Sequence, residues 1–325
     1  MRITQVKTIA AIKVVFVGLV LAGQPAYAQD PEPRDWLQKM TIAVQTANYE
    51  GTVIRIQDGL VDALKVMHFA SDGVVCEKVI IQEGKDLEII RNGNEVRFIM
   101  PERKSVLVEE WDDKSTLFST LPSSDIRFGN EYDVSIVRKE RVAGRKTIML
   151  AIRPHDSFRY GHRIWLDIAT GFPLQTKLLD EHGEIIEQVK FADITFNAEI
   201  DASDIQPSID IGGFRWFAKP QRTAASEVFT DWVSDNLPPG FRVTSTRGER
   251  ISGSDDPVTH MMLSDGLASV SVFVELGKDK KEAAGRSRVG ASNAFSVASG
   301  DFRVTAVGEV PAATVEQIAR SMHPR

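Results

Sequence analysis

Six histidines, one cysteine and two adjacent aspartate pairs are the residues whose types could do chemistry, and their spacing argues against most of it. His68, His155, His162, His182, His260 and His323 contain no helical i, i+4 pair and no His-x-His. A structural zinc site usually also recruits cysteine, and Cys76 stands alone, so no metal site is expected. Asp112-Asp113 and Asp255-Asp256 are chain neighbours whose side chains point apart in a strand or loop. They read as solvated turn residues, not as an acid and its base. Cys76 has no basic histidine pattern beside it and reads as a small buried hydrophobe. Ser252-Gly253-Ser254 lacks the frame of a nucleophile elbow, and neither a phosphate-cradling glycine loop nor a dinucleotide fingerprint is present. The expectation is a chain with no catalytic residues and no cofactor, whose function lies in surface and cavity.

Two strand-like faces could line such a cavity. One carries Val96, Phe98 and Met100; the other carries Ile164, Leu166 and Ile168. Leu117 and Phe118 belong to a Ser/Pro-rich stretch, Trp111–Glu131, that should pack back on the same body as a crossover or a lid. Val96, Phe98, Met100, Leu117, Phe118, Ile164 and Leu166 together suggest a pocket for an acyl chain or another apolar ligand. The same residues could equally make an ordinary core.

The elements that must position them are mostly strands. Asp35 to Asn48 reads as one amphipathic helix, with Trp36, Leu37, Met40, Val44 and Ala47 at helical spacing and Asp35 as its cap. Short alternating runs follow at 52–57, 64–69, 75–81, 87–91, 96–100 and 105–109. They resume at 132–137, 147–152, 164–168, 174–179 and 185–194. Ser71-Asp72-Gly73, Asn92-Gly93-Asn94, Ala143-Gly144-Arg145 and Glu181-His182-Gly183 are hairpin signals between them. About ten strands joined by tight turns, without helical crossovers, make an antiparallel half-open β-barrel covered by one helix. Residues 206–223, with Pro207, Gly212-Gly213 and Pro220, break the rhythm and read as a linker. Phe214, Trp216 and Phe217 should pin it to a surface. A smaller α+β domain over 224–325 should open with a helix at 224–235, continue through about five strands, and close with a helix at 312–322 after Pro311. The stretch 278–288 reads as a mobile hairpin loop.

The ends and the charge set the compartment. Arg2 and Lys7, the apolar run 14–22 and Ala26-Tyr27-Ala28 form a cleavable export signal over 1–28, too short in its apolar part to span a bilayer. Residues 29–210 carry 22 Lys/Arg against 32 Asp/Glu, whereas 211–325 carry 14 against 13. The acidic first part argues against nucleic acid, which needs a basic face. A single cysteine leaves no intrachain disulfide, so stability must come from buried apolar area.

Several runs in fixed order carry a resemblance. They are Trp36-Leu37-x-x-Met40, Tyr49-x-Gly51, Arg163-Ile164-Trp165-Leu166-Asp167 with Gly171, and Leu178-Leu179-Asp180-x-x-Gly183. In the last third they are Leu237-Pro238-Pro239-Gly240-Phe241, Ser264-Asp265-Gly266-Leu267, Ser271-Val272-Phe273-Val274-Glu275 and Val307-Gly308-Glu309-Val310-Pro311. With the export signal, they resemble the RseB/MucB family of periplasmic regulators of the envelope-stress sigma factor, over nearly the whole mature chain. The resemblance implies a LolA-like half-barrel over 29–205 and a smaller partner-binding domain over 224–325, in the periplasm. It implies binding to the periplasmic segment of a membrane anti-sigma factor, shielding of that segment from regulated proteolysis, and release when a lipid, lipopolysaccharide or lipoprotein acyl ligand enters the large domain. No catalytic residue is carried over. Phe273, Glu275, Phe214, Trp216 and Phe217 are the residues expected to meet the partner. The strand holding Phe273 must also give one face to a core. The competing reading is a periplasmic lipid or lipoprotein carrier. Homo-oligomer formation is left open.

Overall fold

The computed structural model describes residues 32–325 apart from 72, 85, 112–116, 118–120, 122–129, 219–231, 251–256 and 278–283. The export signal, Phe118 and most of the helix expected at 224–235 lie outside the described residues. The elements begin with α1 (Pro33–Thr46), β1 (Tyr49–Gln57), β2 (Leu60–Ser71), β3 (Val74–Ile81), β4 (Glu88–Asn92), β5 (Glu95–Met100) and β6 (Ser105–Glu110). They continue with β7 (Tyr132–Val142), β8 (Arg145–Pro154), β9 (Gly161–Asp167), β10 (Pro173–Leu179), β11 (Ile185–Phe196) and β12 (Arg215–Ala218). Then come β13 (Trp232–Ser234), β14 (Arg242–Arg250), β15 (Pro257–Ser264), β16 (Ser269–Leu276), β17 (Gly285–Val289), β18 (Ser292–Ser299), β19 (Phe302–Gly308), α2 (Ala312–Ser321) and β20 (Met322–Pro324).

Among the described residues, β1 to β12 form one sheet in the order β12-β6-β5-β4-β3-β2-β1-β11-β10-β9-β8-β7. The first and last strands of that order do not pair, so the barrel is half open. Tight turns give the meander its register. Asp58-Gly59, with φ of 51° and 77°, supplies the two left-handed residues that a two-residue hairpin loop needs. α1 covers one face through Trp36, Leu37, Met40 and Ala43, packing on Tyr49, Leu64, Val66, Phe172 and Phe191 in one cluster and on Leu150, Ile164 and Leu166 in another. Asp35 is not the cap. The helix starts at Pro33, and Asp35 lies one turn in, accepting from the Glu32 N–H at 3.1 Å. Gly171 lets the β9–β10 turn touch this helix, because a Cβ there would stand 2.8 Å from Lys39 Cβ, at φ +78°.

The opposite face of β2–β6 is covered by the chain after β11. Ile200, Ile205, Ile211 and Phe214 pack on Met67, Ile90, Ile99 and Val106, Lys78 Nζ donates to Gln206 O at 2.6 Å, and Ser208 N–H donates to Glu88 Oε2 at 2.9 Å. The expected linker is therefore stitched down, and it ends as β12, paired in parallel with β6 from Arg215 opposite Ser105.

In the last third, β14-β15-β16-β19-β18-β17 form a second antiparallel sheet whose inward residues pack with Val315, Ile318 and Ala319 of α2. Two expectations are corrected. Trp232–Ser234 is strand, not helix, because it pairs with the chain end at Met322–Pro324. Gly285–Val289 is a strand along β18, not a mobile loop; it is exposed throughout and so carries no apolar period.

Candidate functional site at the junction of the two sheets

The segment between β8 and β9 brings Arg159 to the small sheet. Asp156 shapes it, accepting from Phe158 N–H at 3.0 Å and from Arg159 Nη1 at 3.0 Å. Arg159 is 0% exposed, and a buried guanidinium must be neutralised and hydrogen-bonded. Its Nε lies 2.9 Å from Asp265 Oδ2, an ion-pair contact without a hydrogen bond, and Nη2 donates to Pro239 O. Its plane stacks between Tyr132 and Phe241, 5.3 Å from each ring. Tyr132 donates its phenol proton to the same Asp265 oxygen at 2.8 Å. Burial and Asp265 hold that phenol well above its ordinary range, so it stays a donor. The other Asp265 oxygen accepts from the N–H groups of Leu267 and Ala268 at 2.9 and 2.8 Å.

Three runs of the small half converge here. Gly240, at φ +79°, approaches Glu131 so closely that a Cβ would stand 2.8 Å from its carboxyl carbon. Asn293 Nδ2 donates to Tyr160 OH at 2.9 Å and to Val310 O at 2.8 Å, and Thr314 Oγ1 donates to Phe158 O at 2.7 Å. Beside this contact lies a cavity of ≈ 230 Å³ bounded by Tyr132, Tyr160, His162, Leu178, Leu267 and Glu309. Burial lowers the His162 pKa to about 4, against a smaller opposing effect of Asp265. Burial, with Glu187 adding to it, raises Glu309 to about 7. A second cleft of ≈ 320 Å³ opens across Tyr160, between Asp58, Asp180, Ile185, Arg288 and Pro311.

The residues singled out from sequence fall in separate places. Phe273 and Glu275 lie on the outer face of β16, Phe273 stacked on the His260 ring at 4.5 Å and Glu275 3.8 Å from Arg303. Phe214 packs beneath the large sheet. Trp216 and Phe217 stand on β12, 51% and 50% exposed, with the Arg97 guanidinium 5.9 Å from the Trp216 ring. Ile164 and Leu166 are packed under α1. Val96 is buried opposite Arg91 in register, Phe98 contacts the Trp111 ring at 5.7 Å, Met100 is half-buried, and Leu117 packs with the α1-covered core. β5 and β9 are separated in the sheet by six strands. Val96 also adjoins a buried polar row on the α1-covered face. There Tyr49 stacks on His68, and Glu77 and Arg91 sit opposite each other in register, Arg91 3% exposed.

Arg159, Tyr132 and Tyr160 were not singled out from sequence. The only local signal was an arginine flanked by Phe158 and Tyr160 in a turn; its acid partner is in the other half of the chain. Ser271 and His260 do approach, at 3.0 Å, but Arg247 donates to His260 Nδ1 at 3.3 Å. Nε2 therefore carries the proton and donates to Ser271, the opposite of what activating that hydroxyl requires. Among the described residues no cluster of three or more His, Cys, Asp or Glu could hold a metal ion. Among them, too, no helix is long and apolar enough to cross a membrane.

The family model for the MucB/RseB N-terminal domain matches residues 32–209, and that for the MucB/RseB C-terminal domain matches 226–323. The sigma factor AlgU regulatory protein MucB of Pseudomonas aeruginosa is 30% identical over 315 residues, covering 95% of this chain and 96% of that protein. The sigma-E factor regulatory protein RseB of Escherichia coli K12 is 27% identical over 291 residues, covering 88% and 89%. The solved complex of Pseudomonas aeruginosa MucA and MucB is similar with a TM-score of 0.70, at 28% identity over 91% of this chain and 99% of that one. A crystal structure of MucB is similar with a TM-score of 0.59, at 27% identity over 90% and 97%. On both family models and these full-length relatives, the chain belongs to the MucB/RseB family of sigma-factor regulatory proteins.

Proposed function

We propose that this chain is a periplasmic regulator that binds the periplasmic segment of a membrane anti-sigma factor. The observation that carries the reading is likeness along both halves to MucB, a relative solved in complex with MucA(peri). In this reading the export signal over 1–28 delivers the chain. The half-barrel of 29–205 receives a lipid-like or lipoprotein acyl ligand, 206–223 joins the halves, and 224–325 contributes to the partner surface. Phe273 and Glu275 on the small sheet and Trp216 and Phe217 on β12 are the accessible partner contacts assigned. Phe214 serves the core instead. Bound partner is shielded from regulated proteolysis. A ligand can release it only by binding the partner-free state more tightly, by as much as it weakens the complex. The Arg159–Asp265 contact supports the coupling, because it ties the loop between β8 and β9 to the small sheet. Titrating the complex with acyl-bearing amphiphiles should weaken partner affinity. An unchanged dissociation constant at saturating amphiphile would remove the release step.

A further inference from the structure

The cavity between the sheets contains a carboxylate that none of the described residues neutralises. Glu309 follows β19, and Gly308 allows the close approach that sets it there, since a Cβ at 308 would stand 2.6 Å from Ser269 O. Besides burial, the charge acting on it comes from a second acid, Glu187 of β11, and among the described residues no cation offsets it. Glu187 is itself engaged by Gln57 Nε2 at 2.7 Å and is acted on by Arg55 and Asp58 from β1 and its turn. Arg159 behind Tyr132 is committed to Asp156 and Asp265, and Arg288 pairs with Asp58. His162, the remaining basic group on the wall, is neutral at neutral pH because burial holds it near 4.

The other walls are two tyrosine rings, the side chains of Leu121, Leu178 and Leu267, and the small residues Ala268 and Ser269. A carboxylate, ring faces and aliphatic walls together recognise an organic cation on an alkyl stem: the charge meets the acid, the rings attract it, and the stem packs on leucine. The space, ≈ 230 Å³, far exceeds the roughly 10–15 Å³ that one water needs on the same measure. We propose that this cavity receives one lysine or arginine side chain of the bound peptide segment, with Glu309 taking the ammonium or guanidinium. The proposal rests on the partner-binding function above and specifies where and how part of that partner is recognised.

The occupant should displace a proton. Free Glu309 titrates at about 7, and an ammonium beside it favours the ionised form. Affinity then follows the ionised fraction, so it should tighten about tenfold from pH 6 to pH 8. The test is calorimetric titration of the mature chain with the periplasmic segment of its MucA-like partner at pH 6, 7 and 8, in buffers of differing ionisation enthalpy. Wild type should bind more tightly as pH rises and release a proton near pH 7. Glu309→Gln, nearly isosteric and checked for an unchanged circular dichroism spectrum, should weaken binding about tenfold or more at pH 8 and lose the proton release. Single Lys→Met and Arg→Met changes along the segment should include one whose effect vanishes in the Glu309→Gln background. Wild-type binding that Glu309→Gln leaves unchanged in affinity and proton release, or a segment with no basic residue coupled to Glu309, would overturn this inference alone. A wild type that does not bind the segment would overturn the functional reading and the inference with it.

Discussion

Asp265 uses its two oxygens on different tasks. One caps its own turn, and the other meets Arg159 and Tyr132 from the opposite half. Removing one partner of a buried pair leaves an uncompensated charge, which costs more than the pair contributes. Asp265→Ala should therefore lower stability to urea by about 3 kcal/mol, whereas Tyr132→Phe, losing one hydrogen bond, should cost about 1 kcal/mol. Equal stability of Asp265→Ala and wild type would contradict the role given to Arg159. Two titrating groups make the same junction pH-sensitive in opposite directions. His162 has a folded pKa near 4, below its ordinary 6.5, so the unfolded chain binds the proton first. Stability linked to it is complete above about 6.5 and falls as pH drops toward 4. Glu309 is raised from 4.5 to about 7, so its linked stability is present below 4.5 and is lost as pH rises through 7. Glu309→Gln should melt above wild type at pH 8 and with it near pH 4.5. This is the reverse of its expected effect on partner binding, so a merely structural role is distinguishable.

At the scale of elements, Gly171 is the point where the β9–β10 turn meets α1. Gly171→Ala would place a Cβ 2.8 Å from Lys39 Cβ in a left-handed conformation, and a cost of about 1–3 kcal/mol should appear in urea denaturation, with α1 exchanging its amide protons faster. Elements were legible in sequence where a short apolar run is bounded by turn signals, as in β8 and β9, or where one face is buried and the period of two survives, as in β16. They were not legible where no side chain is buried, as in β17, or where the partner is far along the chain. β13 reads as helix from its apolar spacing, yet Trp232–Ser234 is held by residues at the very end. The same limit applies to the site. The runs Leu237–Phe241, Ser264–Leu267 and Val307–Pro311 stand out in the sequence, but only the fold shows that the first two share the buried Arg159 and that the third is tied through Asn293 to Tyr160 beside it. Phe273 and Trp216 were conspicuous as large rings and turn out to lie on separate surfaces. Glu309 stands in one of those runs, but its chemistry had no local sign, because it depends on burial and on Glu187 across the junction.

The whole molecule joins a half-open barrel to a smaller sheet through a contact that is both charged and buried. Such a contact is stable when complete and costly when half-made, which suits a junction with discrete arrangements better than one that deforms gradually. A ligand that moves the segment between β8 and β9 would disturb Phe158, Arg159 and Tyr160 together, and with them Thr314, Asp265 and Asn293 in the other half. Coupling of this kind would give the proposed regulator two inputs: the partner segment and the acyl ligand. The most direct test of that account is the rate at which the partner's periplasmic segment is cut by its site-1 protease, with and without residues 29–325 present. Saturable binding with cleavage slowed in proportion to occupancy, and restored by an acyl amphiphile, is the predicted result. Cleavage at an unchanged rate with no complex formed, alongside tight uptake of a fluorescent acyl probe, would contradict it and make the chain a carrier.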